Sequence, residues 1–115
     1  MEAPFLKIDD LLSRFAVDKN MQLIKNYHNW PRRDLLWNRG GMYRKIQLFP
    51  ADRPGTYHMA IIAWKDESDG RYGLDGWLKK WASWPELIAS IDQLLEEGMR
   101  TLDSWSDKDL KRAGL

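Results

Sequence analysis

Ten consecutive residues, Thr56 to Lys65 (TYHMAIIAWK), constrain this chain more than any other stretch. Read as a strand, Tyr57, Met59, Ile61 and Ala63 point to one side and His58, Ala60, Ile62 and Trp64 to the other. Both sides are largely apolar, so the strand needs hydrogen-bonding neighbours on each edge and cover on its faces. That demand predicts an interior, central strand of a sheet. The flanking sequence supplies partners. Met42 to Phe49 alternates after the turn residues Asn38-Arg39-Gly40-Gly41, Pro50 to Gly55 reverses the chain, and Tyr72 to Trp81 offers a third strand across the polar turn Lys65 to Arg71.

Helices are expected at both ends. Phe5, Ile8, Leu11, Leu12 and Phe15 recur at helical spacing behind Pro4, which suits a first helical turn. Asp18 is placed to cap a second short helix through Met21, Leu23, Ile24 and Tyr27, ended by Trp30-Pro31. Ser83-Trp84-Pro85-Glu86 has the form of a capping box, followed by the apolar stripe Leu87, Ile88, Ile91, Leu94 and Leu95 and a stop at Gly98. The expected fold is therefore α+β, a single domain over residues 1–115 in which 106–115 form a frayed tail. A three-stranded antiparallel meander carries an N-terminal helical region and a C-terminal amphipathic helix, in the order α(α)βββα.

Several chemistries are poorly supplied. The chain has no cysteine, which excludes disulfides, thiolate metal sites and cysteine nucleophiles, and its two histidines, His28 and His58, lack metal-ligand spacing. His58 reads as a strand residue with a local hydrogen bond. The adjacent acids Asp66/Glu67 and Glu96/Glu97 diverge in direction, so they make poor acid/base pairs. No catalytic residue, metal site or cofactor is assigned. With no apolar run long enough to span a bilayer and acids among the first residues, a cytoplasmic protein without membrane contact is expected.

Charge and aromatic patterning locate the candidate surfaces. The net charge is +1, yet Lys19 to Lys45 holds seven basic residues against Asp34, and Glu86 to Trp105 holds five acids against Arg100. Within the basic segment, Tyr27, Trp30, Trp37 and Tyr43 interleave with Arg32, Arg33, Arg39 and Arg44. These are residue types enriched in interface hot spots and suited to stacking beside phosphates. Trp77, Lys79 and Trp81, sharing one face of a strand, form a secondary aromatic surface, while Trp84 belongs to the core.

The leading functional expectation is a small non-catalytic accessory or inhibitor-type protein that binds another protein, with a second copy of the chain as one candidate partner. A nucleic-acid-binding module using residues 25–45 is the alternative. A third is an enzyme or small-ligand pocket lined by tryptophans, with Tyr57, His58 or Asp75 as its polar groups, which requires a deep pocket converging on His28 or His58. Whether the basic segment is exposed or neutralised by the acidic last helix decides between the first two.

Overall fold

Asn20 decides how the chain enters its sheet. In the computed structural model, which describes residues 4–27, 30–39, 41–65 and 74–105, a 3-10 turn (Pro4–Lys7) leads into helix α1 (Asp9–Asp18). Asn20 adopts φ 57°, its N–H reaching the Val17 carbonyl and that of Met21 the Ala16 carbonyl at 2.7 Å. This pair of bonds is the left-handed helix stop, a conformation asparagine tolerates better than most residues.

The chain leaves this stop as a strand. Where a second helix was expected, β1 (Gln22–Tyr27) runs antiparallel to β2 (Trp30–Arg39), followed by β3 (Met42–Pro50), β4 (Thr56–Lys65) and β5 (Leu74–Ser83). The sheet has five strands in sequence order β1-β2-β3-β4-β5, not three. Pro31 is accommodated in β2 because it falls where the β1–β2 register breaks, between the pairs Lys25↔Arg33 and Tyr27↔Trp30, so no regular ladder bond is missed. The added strands move the centre of the sheet to β3. Strand β4 is interior, as its two apolar faces require, but lies next to the edge.

Helix α2 (Trp84–Ser104) begins at the foreseen capping box. The Ser83 hydroxyl accepts the Glu86 N–H and the Glu86 carboxylate accepts the Ser83 N–H, each at 3.3 Å. It does not stop at Gly98. There the helix comes so close to the sheet that a Cβ would stand 2.8 Å from Leu78 Cδ1 and 3.2 Å from Ile46 Cδ1. The glycine permits close packing within a helix that runs on to bury Leu102.

Both helices lie on one face. Leu12 of α1 and Leu95 of α2 converge with Leu35, Ile46, Leu48 and Met59 on a single small void, and Leu87, Ile91 and Leu102 extend the same core. Since alternate strand residues point oppositely, Asp34, Tyr43, Lys45, Gln47, His58, Ala60, Ile62 and Trp64 face the other side, which neither α1 nor α2 covers.

Candidate functional site

The basic, aromatic segment is largely spent on holding the fold together. Arg33 is buried on the helix side and clamps Asp9 in bidentate fashion, Nε to Oδ1 at 2.7 Å and Nη2 to Oδ2 at 3.1 Å, with its guanidinium 4.9 Å from the Phe5 ring. Lys25 adds a contact of 3.7 Å to the same carboxylate. Arg44, equally buried, donates from Nε to the Leu102 carbonyl at 3.2 Å and from Nη1 to the Arg39 and Met42 carbonyls. It thereby adds a second donor to the carbonyl that already accepts the Trp105 N–H at the C-terminus of α2. Trp37 is half-buried against the core.

On the uncovered face the same economy holds. Asp34, only 1% exposed, pairs with Arg32 at 3.2 Å and Lys45 at 3.8 Å. Burial nevertheless pushes its carboxyl above the ordinary aspartate value, with Lys45, Arg32 and Gln47 opposing the rise. Tyr43 stacks on Trp64 with centroids 5.5 Å apart, and Lys45 lies over the same indole at 5.4 Å. These contacts seal the middle of a face that neither α1 nor α2 covers.

Lys19 meets Asp18 and Glu96, and Arg39, the most exposed arginine of the segment, meets Asp103 at 3.6 Å. All seven bases between Lys19 and Lys45 thus have an anion or a carbonyl. The acidic last helix supplies part of the neutralisation through Glu96 and Asp103; Asp9, Asp18 and Asp34 supply more, and Arg44 is met by carbonyls alone. Tyr27 and Trp30 contribute backbone to β1 and β2; His28 lies outside the described residues.

The other end of the uncovered face is built differently. Over the stretch where Tyr57 to Ala63 of β4 pairs with Ala82 to Leu74, β5 carries two more residues than β4, and the register shifts on either side of Met59. The shifts change which side chains share a face. Lys79 falls opposite Met59, whose side chain is buried on the helix side, whereas Lys80 sits 5.0 Å from the Trp77 ring. Trp77 and Trp81 keep a common face, at 51% and 39% exposure. Trp84 turns inward against Tyr57 and Phe5.

His58 stands in the middle of this end. Its ring lies edge-on to Trp77 at 5.0 Å, Trp81 at 5.3 Å and Phe49 at 5.6 Å. Its Nδ1 accepts the backbone N–H of Trp81 at 3.1 Å, a bond across to β5, 23 residues away, rather than the local one expected. Trp81 has φ 50°, a left-handed conformation that costs a bulky residue about 1–2 kcal/mol. Three neighbours hold it there: His58 at its amide, Asp52 accepting the indole N–H at 2.8 Å, and Arg53 over the ring at 4.2 Å. The indole N–H is the main reason the Asp52 carboxyl sits below its ordinary value.

Asp52 and Arg53 belong to the β3–β4 turn, where Pro54 and Gly55 (φ 76°) take the central positions and Thr56 N–H closes back on the Arg53 carbonyl. Sequence reading misses Phe49, Asp52, Arg53 and Lys80 as members of this cluster. The available signal was the hairpin itself, since pairing Pro50 with Tyr57 sets Phe49 opposite His58.

Tyr57, His58 and Asp75 do not converge on a pocket. Tyr57 is buried on the helix side, its hydroxyl pKa raised by that burial, while His58 faces away. Among the described residues no three of His, Cys, Asp or Glu gather where they could hold a metal ion. A scan against protein-family models gives no match to this chain, and searches of the curated proteins and of the solved structures give none either.

Proposed function

We propose that the protein is a non-catalytic accessory or inhibitor-type protein that binds another protein through the aromatic end of its uncovered sheet face, with Trp77 and Trp81 as anchors. The observation that carries this reading is the half-exposure of two tryptophans on strands rather than loops. Large amphipathic rings held rigidly lose little entropy on docking and dominate interface energetics. The surrounding charges, Arg53 and Lys80 with Asp52 and Asp75, are of both signs, which suits the rim of a protein interface better than a phosphate backbone. The protein is proposed to act in the cytoplasm; among the described residues, no helix is long and apolar enough to cross a membrane.

The test is affinity capture with the wild-type chain, Trp77→Ser and, as a control in the neutralised segment, Arg39→Ala. Loss of the captured partner with Trp77→Ser and its retention with Arg39→Ala is the expected result. Equal retention with both would remove this site. A second copy of the chain as partner would appear in sedimentation equilibrium as a dimer that Trp77→Ser dissociates.

One observation favours nucleic acid as a second reading: a cation lies over each exposed indole, Arg53 on Trp81 and Lys80 on Trp77, the pairing of ring and positive charge used to hold single strands. Titration of tryptophan fluorescence with single-stranded DNA and RNA separates the two. Quenching that weakens steeply with salt, as counterion release requires, selects nucleic acid.

A further inference from the structure

The hydrogen bond between His58 and Trp81 exists in only one protonation state of the imidazole. Nδ1 accepts the Trp81 amide N–H at 3.1 Å, so the ring proton of the neutral form resides on Nε2. A second proton can go only to Nδ1. It would then point at the N–H of Trp81, donor against donor, and the bond would be lost. What the bond holds is a backbone in the left-handed region, at a register shift, carrying a half-exposed indole.

We infer that His58 is a pH-sensitive latch on the aromatic face: neutral, it locks Trp81 in its left-handed conformation, and protonated, it releases that residue. Among the described residues, the charged groups around it are Asp52 and Arg53 from the β3–β4 turn and Lys80 from β5, while β3 presents the uncharged ring of Phe49. Asp52 is already committed to the Trp81 indole, which holds its carboxyl below the ordinary aspartate value. Release at the amide leaves the indole tied to Asp52 and Arg53 by its ring alone, and the left-handed turn can relax. If the face is the docking surface proposed above, mild acid changes its shape; the latch itself does not depend on that reading.

The test uses the free 115-residue chain and needs no partner. The Trp81 backbone amide and indole N–H are followed by NMR from pH 8 to pH 5, together with the ring carbons of His58 and the amides of Ile46 and Leu95 as core references. The expected result is a single step in both Trp81 signals at the midpoint of the His58 ring, its amide proton moving upfield, with the core amides unmoved. In His58→Asn, whose side-chain oxygen can accept the same N–H without titrating, the Trp81 signals should stay flat across that range. Trp81 signals that stay fixed while the His58 ring titrates would overturn the latch. So would an unchanged step in His58→Asn, or core amides that shift in concert with Trp81.

Discussion

Residues 25–45 and the end of the sheet around His58 draw on the same chemistry, cations set against aromatic rings, and turn it in opposite directions. In the first, Arg33 and Arg44 are buried and tie strands to helices, and Arg32 and Lys45 close over Asp34. In the second, Lys80 and Arg53 ride on tryptophans that stay half-exposed. What separates the two regions is the supply of counter-groups. Asp9, Asp34 and the Leu102 carbonyl come within reach of the first, whereas in the second Asp52 accepts an indole N–H. Composition alone assigns both regions to a binding surface; among the described residues the bases of the first are paired, whereas the second keeps two tryptophans half-exposed.

This contrast can be broken by mutation. Arg33→Ala should have the largest effect, about 3 kcal/mol or more in urea denaturation, because it strands the buried Asp9 carboxylate. Arg44→Met follows at about 2 kcal/mol, since a charged donor to buried carbonyls is removed from the end of α2. Trp77→Ser should cost about 1 kcal/mol, the scale of its ring contact with His58, while abolishing partner capture. A loss of stability with Trp77→Ser as large as with Arg33→Ala would erase the distinction between the two regions.

The smallest and sharpest test is the dependence of stability on pH, where Asp34 and Asp52 pull in opposite directions. Asp34 is raised by burial, so its contribution is present below the ordinary aspartate value and is lost as pH rises through its folded pKa. Asp52 is lowered, chiefly by the Trp81 indole, so its contribution is present above that value and is lost as pH falls through its folded pKa. Asp52→Asn should flatten the acid limb of a stability profile. Asp34→Asn should flatten the limb on the other side of the ordinary value.

Much of the frame is legible in the sequence where local rules and tertiary packing agree. The capping box at Ser83, the β3–β4 hairpin and the division of β4 into two faces follow from residue order alone. The missing strands fail for physical reasons. β1 places Leu23 and Ile24 side by side, a pattern a helix shares, and β2 carries Pro31 and the charged run Arg32-Arg33-Asp34, which reads as a loop until partners from α1 and β3 neutralise it. Gly98 reads as a stop because the closeness of Leu78 and Ile46 is invisible in one dimension. At the candidate site, the common face of Trp77 and Trp81 is foreseen, but the register shifts exchange Lys79 for Lys80 beside them.

The order of the sheet also bears on how quickly the molecule forms. Every strand pairs with its neighbours in sequence, so loop closure between strands is short and the meander can zip hairpin by hairpin, each event taking roughly 1–10 μs. The bonds that fasten the helices join distant parts of the chain, 24 residues apart for Arg33 with Asp9 and 58 for Arg44 with Leu102. On loop closure alone, sheet pairing is expected to precede formation of these two bonds. Replacing the two buried arginines should then speed unfolding and leave the folding rate nearly unchanged.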